Sequence, residues 1–131
     1  MVRHADITAL GLMLVLAGGA SAQDAQARLG AALIVDSEKG NCTICHAIPG
    51  LGIPPDAQGN IGPALDGVGS RHDRDWFIRF ITDPRTTFPD TVMPAFGITE
   101  GLIDVAPEYA GRPILTPDEI AAIAAYLETL Q

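Results

Sequence analysis

Lysine is nearly missing from this chain. Of its eight basic residues only Lys39 is a lysine, and sixteen Asp and Glu bring the net charge to −8. A nucleic-acid binder needs a basic face to replace phosphate counterions, and this balance argues against one. Long apolar runs are missing too. The longest, Ile7 to Ala17, has eleven residues, and a helix needs about 20 to cross a bilayer, so no stable membrane anchoring is expected. Aromatic residues are few and one-sided, since all of them (Trp76, Phe77, Phe80, Phe88, Phe96, Tyr109, Tyr126) lie in the second half. There is no strand-like alternation, no repeat and no domain boundary. At 47% hydrophobic and 18% charged residues the chain is not a disordered one.

What is present begins with an address. Arg3 and His4 precede the apolar run, and Gly18 to Ala22 supplies a small-residue A-x-A site. That order is the layout of a secretory signal peptide. The expected organisation is therefore a cleaved signal at residues 1–22 and one domain at residues 23–131. No cysteine follows the run to take a lipid. The rest reads as an all-α domain. A helix is expected from Asp24 to about Glu38, with Ala25, Leu29, Ala32 and Leu33 as its apolar stripe and Gly40 as a left-handed cap. Asp73 or Asp75 can cap a short helix carrying Trp76, Phe77, Phe80 and Ile81, and Asp83-Pro84 stops it. Thr116-Pro117-Asp118-Glu119 is a capping box that opens a last helix with Ile120, Ile123, Ala124, Leu127 and Leu130 on one face. The long connections, Pro49 to Pro63 and Thr86 to Pro107, are rich in Gly and Pro. Loops of that length are uncommon unless something functional orders them.

The chemistry concentrates in Cys42-Thr43-Ile44-Cys45-His46. Cys-x-x-Cys-His is the c-type haem attachment signature. The two sulfurs, one helical turn apart, can reach the two vinyl groups of one haem, and His46 can turn its imidazole to the iron. Three rival readings exist. A redox Cys-x-x-Cys wants a βαβ context. A zinc site needs four ligands and would have to recruit the distant His72. A disulfide across three residues closes a tiny loop and adds little. A low-spin electron-transfer haem takes Met or His as its sixth ligand. Met93, in Thr91-Val92-Met93-Pro94, is the candidate; His72, read as a solvated polar residue before a helix cap, is a second, and Lys39 a remote third. A ligating histidine normally donates its second N–H to a carbonyl, and Pro63 in Gly62-Pro63 is placed to accept it. Arg71 is a candidate partner for a haem propionate, with a solvated surface arginine as the alternative.

These residues together resemble a class I cytochrome c: Cys42 to His46 after an N-terminal helix, Gly62-Pro63-Ala64-Leu65, a Met93-Pro94 loop, and Ala125-Tyr126-Leu127 in a C-terminal helix. More narrowly the chain resembles the SoxX family, the small monohaem subunits of SoxAX complexes. Thr91 to Gly97, Ala106 to Tyr109 and Pro113 to Thr116 carry that likeness. The resemblance implies terminal helices packed around one covalent haem c held by Cys42 and Cys45, with His46 and Met93 as axial ligands. It implies a periplasmic subunit of a thiosulfate-oxidising L-cysteine S-thiosulfotransferase, paired with a SoxA-type cytochrome subunit. That complex joins thiosulfate to a cysteine of the SoxYZ carrier. The sulfur chemistry belongs to the SoxA side; the SoxX haem passes electrons to an external cytochrome c. The other function the same motifs would serve is a free periplasmic monohaem electron shuttle. Ile98 to Leu115, which a shuttle has no evident need for, favours the subunit.

Overall fold

The computed structural model describes residues 18–131, with side chains from residue 22 onward. Residues 1–17, most of the expected signal segment, lie outside the described residues. Four α-helices and several short 3₁₀ turns make up the fold, with no strand among the described residues. The helices are α1 (Gly18–Val35), α2 (Val68–Arg71), α3 (Arg74–Thr82) and α4 (Pro117–Leu127). No described helix is long and apolar enough to cross a membrane.

α4 forms where its caps say it should. The Thr116 hydroxyl accepts from the Glu119 N–H at 3.3 Å and the Glu119 carboxylate accepts from the Thr116 N–H at 2.8 Å. Both arms of the capping box are closed, with Pro117 in the first turn. Ile120, Ile123, Ala124 and Leu127 are buried, as the stripe predicts, and Ala122 and Ala125 join them. Asp73, not Asp75, caps α3, accepting from the Trp76 N–H at 2.7 Å. Phe77 and Ile81 are its buried residues.

α1 departs from the sequence expectation. It begins earlier and stops at Val35. Asp36 ends it: its side chain accepts from the Glu38 N–H at 2.8 Å, and its carbonyl accepts from Lys39 and Asn41 at 3.1 and 3.0 Å. These local bonds compete with another helical turn. The left-handed residue is Asn41 (φ 46°), not Gly40. Gly40 is needed for space, because a Cβ there would stand 2.8 Å from the Leu33 carbonyl and 3.2 Å from Cys42 Sγ.

The buried face of α1 is only partly the expected one. Leu33 is buried as the stripe predicts, but Ala25, Leu29 and Ala32 are exposed, and Gly30 and Ile34 are buried beside Leu33 instead. The cause is the crossing of α1 over α4, the most extensive helix contact in the fold. A Cβ on Gly30 would run into the Ala122 carbonyl. The helices meet backbone to backbone through Gly30 and the small residues of α4, and the face that can make that approach is the one that is buried. Ile34, Ile123, Ile120, Ile48 and Leu115 fill the space beside the crossing. α3 packs on α4 as well. Arg74 of α3 pairs with Glu128, at 2.8 and 3.0 Å, just past the end of α4. The Gly69 N–H of α2 donates to the Leu130 carbonyl at 2.8 Å, which holds the C-terminal tail against α2.

Candidate functional site

The Cys-x-x-Cys-His segment opens with the left-handed Asn41 and a 3₁₀ turn over Cys42–Ile44. With three residues per turn, positions i and i+3 are eclipsed, so Cys42 and Cys45 share one side of the turn. The turn is closed by bonds to the Cys42 carbonyl from the N–H groups of Cys45 (3.2 Å) and His46 (2.9 Å). Both cysteines are free thiols. Burial pushes the Cys42 thiol up to about 11.

A second segment runs alongside the first in the same direction. Gly59, Gly62 and Leu65 donate in turn to the carbonyls of Thr43, Cys45 and Ala47, at 2.8, 2.9 and 2.9 Å. This pairing brings the Pro63 carbonyl to 2.7 Å from His46 Nδ1. A carbonyl can only accept, so Nδ1 is the donor and Nε2 takes no part in this bond. Gly62 is what lets the ring sit there, since a Cβ at Gly62 would overlap the imidazole. Gln58 completes the arrangement: its side chain accepts from the Ile48 N–H at 2.7 Å and donates to the Ile53 carbonyl at 3.0 Å. Sequence reading missed Gln58, because a glutamine in a loop carries no local signal for a bond ten residues back.

Met93 comes from the other long loop. Its N–H donates to the Thr91 hydroxyl at 3.1 Å. The chain beyond it is bonded to the end of α3, Phe96 to the Ile81 carbonyl and Gly97 to the Thr82 carbonyl at 3.2 and 3.1 Å. Met93, Cys42, Leu65 and Trp76 are half-buried and pack against the same apolar core. Arg71 is exposed at the end of α2.

His72 is not a freely solvated residue. Its ring stacks on Trp76 at 3.6 Å, and Trp76 stacks on Phe80 at 4.6 Å. Among the described residues no group of three or more His, Cys, Asp or Glu converges as a metal-binding cluster. A zinc reading needs His72 beside the Cys-x-x-Cys-His turn, and the stacking holds it on the aromatic ladder instead.

The residues of the turn fit a covalent haem. Two thiols lie on one side of it, a glycine cradle holds the imidazole in place, and the Pro63 carbonyl orients the imidazole through Nδ1, which leaves Nε2 as the nitrogen that could reach an iron. Histidine ligands are held in this way by a carbonyl partner.

Comparison with known proteins bears on the same residues. A family model described as cytochrome c matches residues 27–131. A protein of Aquifex aeolicus (strain VF5) described as an uncharacterized lipoprotein is 40% identical over 92 residues, which are 70% of this chain. The chain spans only 37% of that relative's length. Among solved structures, the crystal structure of SoxXA from P. pantotrophus contains a chain similar to this one, with a TM-score of 0.69 and 31% identity. The likeness covers 79% of this chain and 80% of that one.

Proposed function

The chain belongs to the cytochrome c family, and on that basis we propose that it is the monohaem electron-transfer subunit of a SoxAX-type complex in the periplasm. The observation that carries this reading is the likeness to the SoxXA chain over 79% of the sequence at 31% identity. It spans far more than the haem motif, which every c-type cytochrome shares.

In this reading residues 1–22 are a signal peptide removed on export, and residues 23–131 are the cytochrome domain. Cys42 and Cys45 would hold one haem c by thioethers, and His46 and Met93 would ligate its iron. The haem supplies a one-electron redox centre. The chain's own residues set its environment. Pro63 fixes the tautomer and plane of His46, and Thr91 and Pro94 stiffen the loop that presents Met93. Met/His ligation raises the potential, which suits an acceptor. Arg71, exposed and near the start of α3, is available to a propionate.

Both cysteines are consumed by the thioethers, so no thiol remains to act as a nucleophile on sulfur. Joining thiosulfate to a carrier thiol makes an S–S bond and releases two electrons and the single thiol proton. That chemistry falls to the SoxA-type partner and the SoxYZ carrier, and this chain relays the electrons to an external cytochrome c.

The test is gentle purification from the periplasm of thiosulfate-grown cells. A second haem protein that co-elutes, with haem reduction dependent on both thiosulfate and SoxYZ, supports the complex. A lone monohaem protein retained by no partner makes it a free shuttle.

A further inference from the structure

The Pro63 carbonyl that meets His46 Nδ1 belongs to the main chain. No side chain of residue 63 aims it, so its place depends on how the second segment is held against the Cys42–His46 turn. The pairing of the two segments does not settle this by itself. The donors Gly59, Gly62 and Leu65 advance by three residues while the acceptors Thr43, Cys45 and Ala47 advance by two. A regular ladder advances equally on both sides, so the second segment carries one extra residue at each step. Register is weakly specified in a Gly-rich stretch of this kind.

Gln58 supplies what the pairing lacks. It sits directly before Gly59, whose backbone lies so close to the Ile44 carbonyl that a Cβ there would overlap it. From that position the Gln58 carboxamide oxygen accepts from the Ile48 N–H at 2.7 Å, and its nitrogen donates to the Ile53 carbonyl at 3.0 Å. Ile48 is 1% exposed and follows Ala47, the last acceptor of the pairing. One half-buried side chain thus joins the start of the second segment to the far end of the first and to the loop between them. The two bonds need an acceptor and a donor in one planar group. A carboxamide is such a group, whereas a carboxylate would set an oxygen against the Ile53 carbonyl.

We propose that Gln58 is a positioning residue for the His46 ligand. By clamping Ile48 and Ile53 it fixes the approach of the Pro63 carbonyl to Nδ1, and through that bond it sets the reduction potential of the haem. The proposal rests on the haem reading of Cys42, Cys45 and His46. A hydrogen bond donated from the far nitrogen of a ligating imidazole raises its basicity. A more basic ligand favours the oxidised iron, so the clamp holds the potential down and its loss raises it.

The experiment compares the holoprotein with its Gln58→Met, Gln58→Asn and Tyr126→Phe variants. Methionine spans the same length without either bond, and asparagine keeps the amide but is one methylene too short to reach both partners. All three changes are neutral, so no added charge moves the potential. Tyr126→Phe removes the hydroxyl bond to the Pro49 carbonyl at the other end of the loop and leaves the clamp intact. The absorption spectrum of the unmutated protein reports whether a covalent haem is present; its absence overturns the haem reading itself, and the proposal with it. With haem present, proton NMR of the reduced protein follows exchange of the His46 Nδ1 proton, and a redox titration gives the potential. Gln58→Met is expected to speed that exchange about tenfold. It is also expected to move the redox equilibrium about three- to tenfold toward reduction, the low end for partners of a metal ligand, because Gln58 acts one step further out. At about 59 mV per tenfold, the potential rises by about 30–60 mV. Gln58→Asn, the milder change, should move both readings in the same direction. Tyr126→Phe is expected to lower Tm while leaving exchange and redox equilibrium within about twofold. An unchanged potential in a Gln58 variant that carries haem overturns the proposal. So does a Tyr126→Phe shift as large as theirs. Failure of both Gln58 variants to take up haem overturns it as well, since Gln58 would then be a requirement of folding.

Discussion

Gly62 stands where any side chain would overlap the His46 ring. The imidazole is held between this bare stretch of backbone and the Pro63 carbonyl 2.7 Å from Nδ1. Gly62→Ala must therefore displace either the ring or the loop. We expect about 1–3 kcal/mol of lost stability, the usual cost of overpacking, together with a disturbed low-spin haem spectrum. Thermal melts and optical spectra of the same preparation check both. An unaltered spectrum would show that His46 does not need this backbone approach.

The crossing at Gly30 and Ala122 is another place without room. Gly30→Val should cost about 3 kcal/mol, at the upper end of overpacking effects. Leu29→Ala, one residue away but 52% exposed, should change stability by no more than about 0.5 kcal/mol. Denaturant unfolding of the pair tests which face of α1 is buried. A larger loss at Leu29 would restore the stripe expected from the sequence.

Met93→Ala should keep the covalent haem and lose the methionine–iron charge-transfer band in the near infrared, with a lower reduction potential. Pyridine haemochrome analysis, the absorption spectrum of the oxidised protein and a redox titration measure the three effects. A retained band would make Met93 a core filler.

Lys39 and Glu119 are paired at 2.7 Å. The hydrogen bond from Lys39 holds the Glu119 carboxyl below its ordinary range, and the same bond raises Lys39. A lowered acid stabilises the fold above its unfolded pKa and loses that contribution as pH falls through the folded value. A raised base stabilises below its unfolded pKa and loses that contribution as pH rises through the folded value. The pair therefore contributes fully between about pH 4.3 and 10.4. Lys39→Met should lower Tm slightly at pH 7, because exposed pairs are weak, and the gap should close as pH falls below the Glu119 value. Melting curves from neutral to acid pH follow it. A gap that is constant with pH would mean that the lysine acts through its aliphatic stem.

What the sequence revealed follows from how local each signal is. The caps of α3 and α4 are contained in four or five consecutive residues, as is the Cys42–His46 turn, and a reader of the sequence can see all of them. The buried face of α1 could not be read in this way. A periodicity argument ranks side chains by size, whereas the crossing selects Gly30 for having none. Glycine is the usual left-handed residue, so the sequence points to Gly40 rather than Asn41, yet Gly40 is needed for space beside Leu33 and Cys42. The Arg74–Glu128 pair and the stacking of His72 on Trp76 exist only after the helices have docked. Pro63 was legible as an acceptor because proline fixes its own backbone. Gln58, which bonds through its side chain to two distant backbone groups, was not.

The meeting of Gly30 with Ala122 also sets an order of events during biosynthesis. α1 is among the first parts of the domain to emerge, and the helix that covers its buried face is the last. Until α4 is made, the buried face of α1 lacks the helix that crosses it, whereas Cys42 and Cys45 are already in the chain. A chain terminated before Thr116 would lack α4 and leave the Gly30 face of α1 without that cover. The separation of the two helices along the sequence thus puts the closing of this crossing after synthesis of the Cys42–His46 turn.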